Sequence, residues 1–269
     1  MTYGQGGMVQ TRVTEPDSLP ETQLEALMLD PEGPSVVAVG GGHGLAAALE
    51  AIQLYAGRVS AVVSVADDGG SSGRLTGTMG IPAPGDIRRC LLALTPEPSL
   101  MSELFAHRFQ SGDVSDHSLG NLMLAALTEL FGDFGAAVET AGRLLGAVGE
   151  VLPATKTPVG LQAVIDGETI RGQVNIALNR GGIQSLELVP QDPQPNLRAL
   201  EAIAGADQVV LGPGSLFTSV IAALLVPDLA SAVMNSPAQR VWVANLVTQD
   251  GETWEMDGPA HVEALAEYG

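Results

Sequence analysis

Apolar residues gather in short, separate runs along this 269-residue chain. Ser35-Val36-Val37-Ala38-Val39 carries four consecutive apolar residues after its serine, which predicts a strand buried on both faces. Gly40-Gly41-Gly42-His43-Gly44 follows, and residues 45–54 read as a helix. A second buried strand is predicted over 58–66, ending in Asp67-Asp68-Gly69-Gly70-Ser71-Ser72-Gly73. Strand, glycine turn, helix, strand is the opening of a parallel, doubly wound α/β sheet. Further helices are predicted over 87–94, 100–109, 119–130 and 134–145. From 150 to 188 the pattern changes to short β-type segments with glycine turns, read as an antiparallel insertion. The α/β pattern returns with a helix over 196–204, a strand over 208–211, the turn Gly212-Pro213-Gly214-Ser215 and a helix over 217–225. A last buried strand is expected over 241–246. Residues 1–33 are polar and lack a sustained period, so a mobile tail with one short helical piece over 22–29 is expected.

Composition narrows the function classes. Hydrophobic residues make up 45% and aromatics only 4%, so the core is built from Ala, Val, Leu and Ile. The length suits one large α/β domain or two small ones. Cys90 is the only cysteine, which excludes a disulfide framework, and it reads as a small core residue. No apolar run approaches the ~18 residues of a membrane span. The N-terminus also lacks a basic-then-apolar signal pattern. A cytoplasmic protein without membrane contact is expected. A net charge of −19, with Lys156 the single lysine, argues against a nucleic-acid surface. It also means that any anionic ligand needs local positive potential, which backbone N–H groups at helix N-termini supply.

The candidate chemistry lies in the turns. Gly40 to Gly44 feeds a buried strand into a helix, so the first helical N–H groups point above the sheet. Leu45 stands where the dinucleotide fingerprint has its third glycine, and no Lys-Ser/Thr follows as in a P-loop. Asp67 and Asp68 at a strand's end suit a ribose diol, a divalent cation or a general base. Gly70, Ser71, Ser72 and Gly73 suit a second anion nest, and a polar capping loop is the plain alternative. Asp86, in Pro84-Gly85-Asp86-Ile87-Arg88-Arg89, is either a helix cap or a rim residue beside one arginine. Asn121 and His117 open a long helix, where they serve a sugar or phosphate, or only the structure. Gly212, Pro213, Gly214 and Ser215 repeat the first device, with Ser215 and Thr218 as hydroxyl donors. Two such turns in one open sheet place two helix N-termini at its carboxyl edge, where ligands of doubly wound folds bind. Asn245, an amide within an apolar strand, needs a partner: a ligand edge or a neighbouring loop. No nucleophile elbow or His-x-x-x-His spacing is present, and no catalytic or metal-binding residue is singled out.

Taken together, 39–45, 67–74, 82–88, 119–122, 211–219 and 245–249 resemble the bacterial gluconeogenesis factor (YvcK) family. That family is placed with the CofD-like 2-phospho-L-lactate transferases, and the resemblance runs in order from about 35 to 253. It implies a Rossmann-like three-layer α/β/α fold as a single domain over 34–269, carrying a β-rich insertion at 150–188. It implies a UDP-sugar ligand such as UDP-N-acetylglucosamine, no required cofactor, and a role in cell shape and cell-wall precursor supply on gluconeogenic carbon sources. A protein partner in precursor synthesis and a homo-oligomer are compatible with that role. Carried over by position, it nominates Gly40 to Leu45, Asp67 to Gly73, Asp86, Asn121, Gly212 to Ser215 and Asn245. Position 43 is His where many members have Thr, and Trp254-Glu255-Met256 departs from the family's Asp-Gly. The alternative of a different class is a transferase acting on a nucleotide-diphosphate-linked substrate, with Mg²⁺ on Asp67 or Asp68. An NAD-dependent oxidoreductase is disfavoured by the missing third glycine.

Overall fold

The computed structural model describes residues 29–96 and 98–268. Five strands form one parallel sheet: β1 (Ser35–Gly40), β2 (Arg58–Val63), β3 (Glu150–Pro153), β7 (Gln208–Leu211) and β8 (Gln239–Trp242). Their order is β3–β2–β1–β7–β8, so β1 lies at the centre. That position explains its composition, because Val36, Val37, Ala38 and Val39 are fully buried between layers. β1 pairs with β2 on one side (Val37 opposite Ser60) and with β7 on the other (Val37 opposite Val209).

Helix α1 (Gly42–Ile52) seats Leu45, Leu49 and Ile52 on the sheet, a stripe with helical spacing. Between β2 and β3 come α2 (Gly70–Met79), α3 (Gly85–Ala93), α4 (Leu100–Ala106), α5 (Leu119–Phe131) and α6 (Phe134–Leu145). Helices α1, α3 and α6 pack beside β1 to β3. A three-stranded antiparallel sheet follows: β4 (Gly160–Ile165), β5 (Glu168–Arg171) and β6 (Ile183–Val189), with α7 (Gln173–Leu178) between β5 and β6. The chain then forms α8 (Leu197–Ala204), the helical stretch α9 (Leu216–Leu224) and α10 (Leu229–Asn235). In the order β3–β2–β1–β7–β8 the chain runs from β1 to β2 in one direction and from β3 to β7 to β8 in the other. The right-handed crossovers that parallel sheets take therefore put α1 and α8 to α10 on opposite faces, the three-layer Rossmann-like arrangement. Helix α11 (Gly258–Tyr268) ends the described chain. No single helix among the described residues is long and apolar enough to cross a membrane.

Several elements differ from expectation, each for a physical reason. The polar loop expected over 67–73 is helical from Gly70 onward. Its Gly/Ser/Thr-rich sequence has weak helix propensity, and burial of Ser71, Ser72 and Leu75 fixes it instead. The stretch 150–188 is not all insertion: β3 is an edge of the main sheet, and only 160–189 forms the antiparallel one. The last strand occupies 239–242 rather than 241–246, so Asn245 lies in the loop beyond it. Helices α10 and α11 were not anticipated, and the first part of α9, Leu216–Ile221, is a π-helix. Of the expected tail, 1–28 and its helical piece at 22–28 lie outside the described residues. Residues 29–33 are held against the body, where Asp30 N–H donates to Ala56 O at 3.1 Å. Cys90 is fully buried in the core, which pushes its thiol pKa up.

Leu49 is fully buried where α1 meets the sheet. Leu49→Ala is expected to lower unfolding free energy by about 2–5 kcal/mol, read by chemical denaturation. A loss below about 1 kcal/mol would show that α1 does not seat there.

Candidate functional site

Strands β1 and β7 are neighbours, and the connections leaving them go to opposite faces. This is a topological switch point, where a crevice opens above the carboxyl ends. Both strands end in glycine turns, and the turns abut backbone to backbone. A Cβ on Gly44 would stand 2.6 Å from the Pro213 carbonyl oxygen, and one on Gly214 3.1 Å from that of Gly41. Gly42 takes a φ of +72°, a left-handed conformation that side-chain-bearing residues rarely adopt.

The helix N-termini above these turns are occupied by the protein's own carboxylates. Asp86, in the first turn of α3, accepts the Gly42 N–H at 2.7 Å through Oδ2. Its other oxygen pairs with Arg89. Burial raises the Asp86 pKa, Arg89 opposes that, and the nearby Asp67 carboxylate raises it further. At the second turn Glu252 accepts the Phe217 and Thr218 N–H groups at 3.1 and 3.0 Å and the Thr218 hydroxyl. Only 4% of Glu252 is exposed, and burial raises its pKa against those hydrogen bonds. The expectation of two bare anion nests is therefore corrected. Each nest already holds a carboxylate, because a buried helix end leaves N–H groups that need acceptors.

Between the turns lies a cleft of about 400 Å³. Of the expected residues, Gly41, Gly42, His43, Gly44, Asp67, Asp86, Gly214, Ser215 and Asn245 line it. Asn245 Nδ2 donates to the Gly214 carbonyl at 2.9 Å, so its amide braces the second turn from the loop after β8. The remaining candidates do other work. Gly40 ends β1, Gly212 follows the last residue of β7, and Leu45 is wholly in the core. Pro213 faces an apolar groove with Ala47 and Val241. The two aspartates diverge: Asp67 reaches the cleft, whereas Asp68 accepts the Val174 N–H of α7 at 3.0 Å. They do not form a pair on one ion. Gly70, Ser71, Ser72 and Gly73 form the first turn of α2, with Ser72 buried against Gly85. Asn121 is buried, donating to Ser71 Oγ at 3.1 Å and accepting from Arg88 Nε at 3.1 Å.

Arg89 is the arginine at the rim beside Asp86, and the cleft also gains Gln173 and Gln249, which sequence reading did not nominate. All three line the cleft, and Gln249 Nε2 donates to Ser215 Oγ at 3.1 Å. Gln173 comes from α7 of the small sheet and donates to Thr218 Oγ1 at 3.3 Å. The cleft thus offers main-chain and amide donors, hydroxyls and one guanidinium, with two carboxylates, Asp67 and the already engaged Asp86. Among the described residues no group of three or more His, Cys, Asp or Glu is placed to hold a metal ion. A second cavity of about 390 Å³ lies by α6, β3 and α8. Its Lys156 and Arg198 are ion-paired with Asp133, Glu139 and Glu150, which leaves those cations no unspent charge.

A family model described as 2-phospho-L-lactate transferase CofD matches residues 36–268. The gluconeogenesis factor of Bacillus subtilis is 41% identical over 237 residues, covering 87% of this chain and 75% of that protein. The gluconeogenesis factor of Halalkalibacterium halodurans is 41% identical over 236 residues, covering 87% and 73%. A Nostoc relative is 44% identical over 235 residues, but the match covers 52% of it, so the chain spans about half that protein's length. The X-ray structure of a Bacillus halodurans protein superposes with a TM-score of 0.85 at 40% identity, covering 88% of this chain and 77% of the other.

The raised Glu252 pKa has a definite sign in stability. The folded state holds this proton more tightly than the unfolded one, so its contribution is complete below the ordinary glutamate pKa. It is lost as pH rises through the raised native value. Glu252→Gln keeps an acceptor for the two N–H groups, and is expected to flatten this part of the fall in melting temperature. A pH profile identical to that of the parent would show that Glu252 is ionised throughout.

Proposed function

Because the chain belongs to the 2-phospho-L-lactate transferase CofD family, we propose that it is a gluconeogenesis factor-like protein that binds a UDP-sugar in the cleft. The observation that carries this reading is the pair of abutting glycine turns at the switch point. They leave a space of about 400 Å³, within the range of small-molecule sites, lined by donors rather than by a nucleophile and base. The diphosphate lies along His43, Gly44 and Ser215, beside the Gly42 amide that Asp86 holds, with the Arg89–Asp86 pair at its edge. Asn245, Gln173 and Gln249 meet sugar and base hydroxyls or amides. The protein works in the cytoplasm as a regulator, through a protein partner in cell-wall precursor supply, rather than by turnover.

One feature favours a second reading. Asp67 faces the cleft next to Asp86, and Mg²⁺ is commonly held by one or two carboxylates plus substrate phosphates. Asp68 is engaged with α7, so an Mg²⁺-dependent transferase would rely on Asp67. Bound there, Mg²⁺ would neutralise charge on a transferring phosphoryl group.

Calorimetric titration with UDP-N-acetylglucosamine, NAD and GDP, each with and without Mg²⁺, separates these readings. UDP-sugar binding without Mg²⁺ is expected, and NAD binding alone would overturn the proposal. His43 is an exposed residue in the first turn of α1, where Asp favours the helix dipole. His43→Asp is expected to keep the fold and weaken UDP-sugar affinity about tenfold or more, ~1.4 kcal/mol. Unchanged affinity would remove the first turn from the site.

A further inference from the structure

Arg88 is buried to 8% exposure on α3, and no carboxylate among the described residues lies within ion-pair distance. Its Nε donates to Asn121 Oδ1, and no acceptor among the described residues takes up its terminal nitrogens. Its terminal nitrogens are not closed off from solvent, so an anion can reach them. A largely desolvated cation with no ion-pair partner favours one, with only the more distant Asp86 carboxylate acting on it. Burial and the neighbouring Arg89 and Arg108 lower its pKa to about 10.

The surroundings are constructed to hold it. Gly120 leaves room for the side chain: a Cβ there would stand 2.8 Å from Arg88 Cδ and 2.6 Å from the Phe105 carbonyl oxygen. Asn121 is oriented in turn by its bond to Ser71 Oγ, which lies 2.9 Å from His117 Nδ1. Two exposed arginines complete the group. Arg74 donates to Ser115 O and Arg108 to Asp116 O, both carbonyls rather than carboxylates. Burial, Arg74 and Arg108 lower the His117 pKa and the Asp116 carboxylate opposes them; a neutral imidazole can donate or accept at Nδ1. In a chain of net charge −19, three guanidiniums without carboxylate partners lie around this cluster: Arg88 on Asn121, which holds Ser71, and Arg74 and Arg108 near enough to His117 to act on its charge.

We propose that Arg88, Ser71, His117 and Arg108 form a phosphate-binding site, distinct from the glycine cleft, for free phosphate or the phosphate of a small phosphomonoester. None of these four residues lines the cleft. A guanidinium fork with a hydroxyl and an imidazole matches the acceptor-rich geometry of a phosphate dianion. Arg74 and Arg108 raise the local concentration of anions that the overall field repels.

The test is thermal unfolding of the full chain against increasing inorganic phosphate, with sodium chloride at matched ionic strength as control. The melting temperature is expected to rise with the logarithm of phosphate and not with chloride. The rise is expected to persist in His43→Asp, which separates this site from the cleft. In Arg88→Met the rise is expected to vanish, while the phosphate-free protein melts at or above the parent because a largely desolvated charge with no ion-pair partner is gone. A phosphate response equal to that of chloride would overturn the proposal. So would an Arg88→Met protein that melts lower yet keeps the full phosphate response, since Arg88 would then be only a brace. Should Arg88→Met not fold, Arg108→Gln alters an exposed residue. It is expected to weaken the phosphate response about five- to tenfold, and an unchanged response would overturn the proposal. A parallel titration with glycerol phosphate assigns the source: tighter binding than inorganic phosphate marks a phosphomonoester, equal or weaker binding marks the free ion.

Discussion

The site depends on one close contact, the seating of Gly44 beneath the Pro213 carbonyl. Two strand-to-helix turns can lie this close only if neither carries a side chain at the contact. Their apposition fixes how α1 and α9 leave the sheet, and so where the first amides of both helices point. Asp86 and Glu252 follow from that geometry. Two helix ends brought together in a partly buried place would leave amides unanswered, and each receives a carboxylate from a distant part of the chain. Asn245 and Gln249 then tie the loop after β8 back to the second turn.

Much of this was legible in the amino-acid order where local sequence determines local structure. The valine run of β1 could hardly be anything but a central strand, and the glycines after it could hardly be other than a turn opening a helix. The pairing of the two turns followed from the rule for open parallel sheets. What escaped was whatever depends on tertiary placement. Helix α2 is written in glycine, serine and threonine, and its helical state comes from packing. Glu252 and Gln173 carry no local sign of their task, because the first lies 34 residues from the amide of Thr218 and the second reaches the cleft from another sheet. Asp67 and Asp68 looked like a pair in sequence, yet neighbouring residues in an extended segment project to opposite sides. Asn121 was read toward a ligand, and the structure gives it Arg88 to hold.

Charge in this chain is arranged rather than merely abundant. Acidic residues dominate the sum, yet two of them are drawn inside as helix caps. Several cations, Lys156 and Arg198 among them, are matched with carboxylates at the surface. The guanidiniums around Ser71 are left without such partners, which is where the excess of negative charge makes an unmatched cation most conspicuous.

Building a cleft from main-chain amides and the absence of side chains has a consequence for how it is mapped. Truncating side chains one at a time, the usual way to find working residues, reaches Arg89, Gln173, Asn245 and Gln249 but leaves the amides of the two turns untouched. Alanine in place of those side chains alone would leave the turns unread. At Gly44 it would be among the more disruptive changes available. The informative library for such a site runs in the opposite direction, adding a methyl group where there was none and finding out where the chain refuses it.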